Sequence, residues 1–223
     1  MEKNLLNIPQ IKICGLTDTS QALECAAFGV NAIGCVFFPK SPRNLSQAQA
    51  KEICTALPRE ITKVGVFVNE SFSFIMRKVE KCGLTAVQLH GHESPGLVKQ
   101  LRKQNLKVIM GLFLSREPGL DKAENYDADA FLIECGKGKL PGGNAKTWDW
   151  SSAKSFGEKY PLILAGGLSP DNINSAIAQA QPDAVDISSG VELTPGKKDM
   201  KKVKKFIEKV KTCHINRQRR TVL

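Results

Sequence analysis

Two glycine-bearing segments are suited to chemistry on an anion: Gly166-Gly167-Leu168-Ser169 and Ser188-Ser189-Gly190. Glycine lets backbone N–H groups approach an anion closely, and a helix N-terminus after such a turn adds favourable partial charge. Either segment alone could be an ordinary turn; the two together point to phosphate. Cys14, His90, Glu134 and Ser188 each end a short run of β-branched or aliphatic residues. A thiol takes up a proton only as the thiolate, which a nearby cation favours, and Lys12 stands two residues before Cys14. Lys12 is equally suited to a structural ion pair. A carboxyl such as Glu134 can donate a proton only while it holds one.

These residues act together only if the fold gathers them. Strand-like runs alternate with longer segments of helical period, as in repeated βα units with a parallel sheet. The expected strands are Gln10–Cys14, Ala32–Phe38, Thr62–Val68, Ala86–His90, Lys107–Leu114, Ala130–Glu134, Leu162–Ala165 and Ala184–Ser188. Helices are expected to start at Ser20, Ser46, Ser71 and Ser169-Pro170, where small polar caps and a first-turn proline serve that role. Gly29 and Gly83 are expected stops, and a fifth helix is expected within Arg116–Asn125.

Eight such units fit a single (β/α)8 TIM barrel with a parallel eight-stranded β-barrel, although a doubly wound sheet shows the same alternation. Side-chain parity favours the barrel. Ile11 and Ile13 oppose Lys12 and Cys14, Val87 and Leu89 oppose Gln88 and His90, and Val185 and Ile187 oppose Asp186 and Ser188. Strands buried on both faces of an open sheet would be nearly all apolar. In a barrel the polar face points inward, placing Cys14, His90, Glu134 and Ser188 around one mouth, whereas Asp129 and Cys135 should face the helices.

With 223 residues, 42% of them hydrophobic, the chain can bury one large core. Residues 1–211 are read as one barrel domain and 212–223 as a flexible basic tail. No apolar run is long enough to span a membrane, and Met1–Gln10 lacks the features of an export signal, so a soluble cytoplasmic protein is expected. The seven cysteines are scattered without metal-ligand spacing, which implies neither a disulfide framework nor a metal site. The net charge of +10 is concentrated in Lys197–Lys211 and the tail, and is read as a solvated face. Aromatic residues are not interleaved with it, so no nucleic acid is expected as partner, whereas a small anionic substrate is. The segment Gly136–Trp148, with Pro141-Gly-Gly-Asn144, is long for a βα connection and is expected to close over substrate.

Six motifs, in order, carry a resemblance to phosphoribosylanthranilate isomerases: Lys12-Ile-Cys-Gly-Leu-Thr17, Phe37-Phe-Pro-Lys-Ser-Pro-Arg43, Lys63-Val-Gly-Val-Phe-Val-Asn69, Gln88-Leu-His-Gly91, Leu164-Ala-Gly-Gly-Leu168 and Val185-Asp-Ile-Ser-Ser-Gly-Val-Glu192. The resemblance implies the Amadori rearrangement of N-(5-phosphoribosyl)anthranilate in tryptophan biosynthesis, without metal or other cofactor. It implies Cys14 as general base and, at a place where the family usually has aspartate, Glu134 as general acid. Arg43 matches the residue near the anthranilate, Gln88 and His90 match pocket positions that orient substrate, and Asp186 matches a position suited equally to a substrate hydroxyl or to an internal cation. Gly166, Gly167, Ser188, Ser189 and Gly190 take the phosphate. The extra methylene of glutamate shifts the acid by about 1 Å, a displacement able to cost roughly a hundredfold in rate.

Two other readings remain open from sequence. One is a related barrel isomerase of the histidine pathway, or a dual-function version; these use paired aspartates, which Cys14 argues against. The other is a non-catalytic basic binding protein. Under the favoured reading the chain is expected to be a monomer or a homodimer.

Overall fold

The computed structural model describes residues 7–137 and 147–223. The eight apolar runs form strands β1 (Gln10–Cys14), β2 (Ala32–Phe37), β3 (Thr62–Phe67), β4 (Ala86–Leu89), β5 (Lys107–Phe113), β6 (Ala130–Glu134), β7 (Leu162–Leu164) and β8 (Ala184–Ile187). They pair in parallel in chain order, and β1 also pairs with β8, so the sheet closes into the expected barrel. Phe38, Val68, His90, Leu114, Ala165 and Ser188, expected as strand ends, lie one residue beyond. The ladder stops where the backbone turns into the mouth.

Helices α1 (Thr19–Ala27), α2 (Gln47–Ala56), α3 (Phe72–Cys82), α4 (Pro95–Arg102), α5 (Lys154–Lys159), α6 (Ile173–Ala180) and α7 (Met200–Lys211) pack outside the barrel. Ser46 caps α2 in a reciprocal box with Gln49, Ser71 caps α3, and Gly83 ends α3 at φ +69°. Three expectations are corrected. Asp18 caps α1 in place of Ser20, because its carboxylate accepts from the Gln21 N–H at 2.9 Å and also takes the Ser20 hydroxyl. The stretch expected to hold a fifth helix yields only a 3-10 turn, Leu120–Asn125, whose leading Gly119 has no side chain to cap it. Ser169 does not start α6 directly. The Asn172 side chain accepts from the Ser169 N–H and donates to the Gly167 carbonyl, both at 2.8 Å, and so secures the glycine turn before the helix begins.

Parity divides the core as expected. Ile11, Ile13, Val87, Leu89, Val185 and Ile187 pack with the helices. A second cluster fills the barrel floor, where β2, β4, β6 and β8 each begin with an inward alanine: Ala32, Ala86, Ala130 and Ala184. Bulky branched residues dominate such layers in most barrels. Here the space left by the alanines is taken by Val222 and Leu223, which are buried against them.

Residues of the segment expected to be a flexible tail take part in this packing. Gln10 donates to the Leu223 carbonyl at 3.0 Å and accepts from the Val222 and Leu223 N–H groups at 2.7 and 3.0 Å. Asp183, fully buried, accepts from Arg217 Nη1 at 2.6 Å, from the Arg220 N–H at 2.8 Å and from the Leu162 N–H at 3.0 Å. Burial alone would raise the Asp183 carboxyl, but Arg217, the two backbone donors and Arg220 hold it below its ordinary value. The arginines that looked like solvated charge are counter-ions to a carboxylate inside the floor.

Removing residues 217–223 therefore uncovers a desolvated carboxylate and an apolar layer. We predict a loss of about 3–5 kcal/mol, the usual consequence of breaking a buried ion pair, which for a domain of this size lowers the melting temperature by roughly 6–20 °C. Thermal denaturation checks this. A midpoint within about 2 °C of the full chain would show the tail to be dispensable.

Candidate active site

The C-terminal ends of the strands open onto one concave cavity. Its lining includes Cys14, Arg43, Gln88, His90, Glu134, Asp186, Gly166, Gly167, Ser188, Ser189 and Gly190. Every candidate named from sequence thus borders one space. Cys135, expected to face the helices, borders it too, since alternation no longer holds once β6 has ended at Glu134. The proposed cover falls largely on residues 138–146, outside the described residues; Gly136 and Lys137 lie on the cavity wall.

Lys12 is fully buried, and its Nζ lies 2.9 Å from Asp186 Oδ1. Of the two roles open to Asp186, pairing with a cation is therefore filled, while the residue still lines the cavity. The ammonium also stands close to Cys14: a β-carbon on Gly34 of β2 would come within 2.8 Å of Cys14 Sγ and 3.1 Å of Lys12 Nζ. Only glycine fits there, a requirement invisible before the register was known. Burial pushes the Cys14 thiol above its ordinary value, with Lys12 and Lys198 opposing and Asp186 adding to the rise. Burial likewise works against the Lys12 charge, but Asp186 and Cys14 outweigh it and raise its pKa.

Across the mouth, Glu134 Oε1 lies 3.6 Å from His90 Nε2. His90 Nδ1 is 3.2 Å from Gln88 Nε2, and its ring meets Phe113 edge-on at 5.3 Å. With the Gln88 amide donating, Nδ1 accepts and Nε2 carries the ring proton, directed at Glu134. Gln88 Oε1 is buried and has no hydrogen-bond partner among the described residues. This leaves one acceptor on the cavity wall for a ligand hydroxyl or N–H.

The two glycine turns are built for close approach. Gly166 and Gly167 adopt φ +84° and +70°. A β-carbon on Gly190 would fall 1.9 Å from the Leu168 carbonyl oxygen, so the turns after β7 and β8 touch only because residue 190 lacks a side chain. Trp148 Nε1 donates to the Ala165 carbonyl at 3.0 Å and Trp150 Nε1 to the Gly166 carbonyl at 3.3 Å, bracing the first turn from behind.

Arg43 is buried and paired fork to fork with Glu192, Nε to Oε1 at 2.8 Å and Nη2 to Oε2 at 2.6 Å. Lys198 approaches the same carboxylate at 2.8 Å. Sequence reasoning grouped Lys198 with a solvated basic face, yet it is 1% exposed. The only available signal was Glu192 at the end of the sixth motif, a carboxylate that had to find a partner. Burial alone would raise the Glu192 carboxyl, but Arg43 and Lys198 hold it below its ordinary value. Among the described residues, no group of three or more His, Cys, Asp or Glu side chains could hold a metal ion, and no helix is long and apolar enough to cross a membrane.

Comparison with known proteins agrees with this geometry. The family model for N-(5'-phosphoribosyl)anthranilate (PRA) isomerase matches residues 11–209. An N-(5'-phosphoribosyl)anthranilate isomerase of Desulfatibacillum aliphaticivorans is 52% identical over 213 residues, covering 96% of this chain and 98% of that one. The crystal structure of phosphoribosyl anthranilate isomerase from Thermotoga maritima superposes with a TM-score of 0.85 at 39% identity, covering 92% of this chain and 99% of that one. A further structure, an isomerase in complex with reduced 1-(o-carboxyphenylamino)-1-deoxyribulose 5-phosphate, superposes with a TM-score of 0.80 at 38% identity over 92% of this chain and 99% of that one. The eight-stranded barrel with Cys14 and Glu134 on one mouth belongs to a member of the phosphoribosylanthranilate isomerase family.

Proposed function

We propose that this chain converts N-(5-phosphoribosyl)anthranilate into 1-(o-carboxyphenylamino)-1-deoxyribulose 5-phosphate, a step of tryptophan biosynthesis, in the cytoplasm. The observation that carries the assignment of roles is the sharing of one cavity by a thiol, a carboxyl and two glycine turns. The isomerase crystallised with the reduced product supports the substrate class.

In this reading the sugar phosphate sits on the turns Gly166-Gly167 and Ser188-Ser189-Gly190, and the anthranilate carboxylate faces Arg43. Glu134, protonated, gives its proton to the ribose ring oxygen. The C1′–O bond then breaks and the nitrogen lone pair forms a Schiff base. The Cys14 thiolate removes the C2′ proton; the electron pair of that bond forms the C1′=C2′ double bond while the C1′=N π pair returns to nitrogen, giving an enolamine. Protonation at C1′ with loss of the C2′ hydroxyl proton yields the ketone, so the reaction moves protons between donor and acceptor groups with no net electron exchange. His90, beside Glu134, and the free Gln88 acceptor orient acid and substrate. A base held above the ordinary thiol value is stronger once ionised but less often ionised at neutral pH, so Lys12 and Lys198 set the working fraction.

Two measurements test these assignments. Fluorescence-monitored turnover of the aminoaldose is expected to fall about 10²- to 10⁴-fold in Cys14→Ser and in Glu134→Gln, the usual contribution of a general acid or base. Undiminished turnover in either variant removes that residue from its role. For the base, alkylation of the Cys14 peptide followed by mass spectrometry against pH is expected to show its inflection displaced to higher pH in Lys12→Met, because the nearest cation favouring the thiolate is gone. An unmoved inflection would end the part given to Lys12.

A further inference from the structure

Lys198 lies on the short strand β10 (Lys197–Lys198), which pairs with β9 (Glu192–Thr194) beyond the end of β8. Its ammonium has three protons and three acceptors within reach: Glu192 Oε1 at 2.8 Å, the Ser188 carbonyl at 3.2 Å and Ser188 Oγ at 3.3 Å. No donor is left over for a ligand. Glu192 in turn spends both carboxylate oxygens on the Nε and Nη2 edge of Arg43. Arg43 and Ser188 both line the cavity. Burying Lys198 against a single carboxylate is costly, as the downward pull of burial on its ammonium shows. A hairpin needing only to be stable would have met that position with an apolar residue.

We infer that Lys198 and Glu192 are positioning residues, a buried pair that fixes Arg43 at the carboxylate end of the substrate and Ser188 at the phosphate end. Two cations share one anion, so a net positive charge remains beneath a site that receives two anionic groups. The pair touches neither end of the substrate and acts through the residues that do. This inference rests on the reaction proposed above for the assignment of the two ends, while the pairing itself is a property of the protein alone.

The test compares the full chain with Glu192→Gln, Lys198→Met, Arg43→Met and the double variant Glu192→Gln/Arg43→Met. KM is expected to rise about tenfold or more in Glu192→Gln while kcat changes less than about threefold, because ground-state placement is lost and the acid and base are untouched; Lys198→Met is expected to show the same rise in KM together with a lower kcat at neutral pH, because Lys198 also favours the Cys14 thiolate. The double variant is expected to be no worse than Arg43→Met alone, since both changes break one linkage. Independently of turnover, the Arg43 side-chain Nε–H should give a protected ¹⁵N resonance in the wild type that is lost in Glu192→Gln. Glu192→Gln keeps the side chain's shape and decides the matter if Lys198→Met fails to fold. A folded Glu192→Gln with wild-type KM, additive effects in the double variant, or an unchanged Arg43 resonance would overturn the inference. If the wild type itself fails to turn over the aminoaldose, the proposed reaction falls instead, and the resonance still decides the pairing.

Discussion

Lys12 and Asp186 face each other across the seam where β1 meets β8, as direct register partners whose charged groups are 2.9 Å apart and shielded from water. A buried pair of this kind adds little net stability, because desolvating two charges offsets most of their attraction. Its effect on geometry is sharper. A slip of one residue at the seam would turn Lys12 toward the helices and leave Asp186 alone in the interior, an arrangement that costs several kcal/mol. The closure register therefore has one strongly favoured value, and Cys14, two residues along β1, receives its place on the mouth from it. The glycine at position 34 belongs to the same constraint, since β2 must pass both the ammonium and the sulfur.

The barrel's two ends solve different electrostatic problems. At the floor, Asp183 is surrounded by more donors than it has charge, and the tail that supplies them also seals an alanine-lined layer. Charge is consumed there. At the mouth, Lys12 is balanced by Asp186, but Arg43 and Lys198 share only Glu192. Positive potential persists in a concave site of low polarizability, where it attracts an anionic ligand more strongly than the same charge on an open surface. The chain's large positive charge thus has at least three uses: solvated lysines on α7, counter-ions at the floor and unspent cations at the mouth.

What could be read from the sequence follows the range of the forces involved. Parity along β1, β4 and β8 is written in adjacent residues, so the barrel and the mouth shared by Cys14, His90, Glu134 and Ser188 were legible before any coordinates, whereas Arg43 was reached only through the family resemblance. The capping residues were partly legible: Ser46 and Ser71 serve as expected, but at α1 two polar residues two positions apart competed, and the carboxylate of Asp18, with the stronger acceptor, prevailed over Ser20. The burial of Lys198 and the contacts of the tail with the floor left no local mark. Both depend on an anion elsewhere in the fold, Glu192 and Asp183, and a lysine-rich or arginine-rich stretch has the same composition whether its partner is water or a buried carboxylate.

The glutamate at position 134 illustrates how far such local departures are absorbed by neighbours. A glutamate needs room for its long stem and a contact that fixes its end. Room is available because Gly166 stands beside its stem: a β-carbon on that glycine would lie 3.2 Å from Glu134 Cβ, tighter than ordinary packing. The end is met by His90, whose own orientation comes from Gln88 and Phe113 rather than from Glu134. The Glu134 carboxyl is therefore framed by groups that hold their positions independently of it. In such a frame the side chain has few alternative rotamers to lose, and a displacement of about 1 Å can be offset by where the frame stops the carboxyl rather than by the length of its stem.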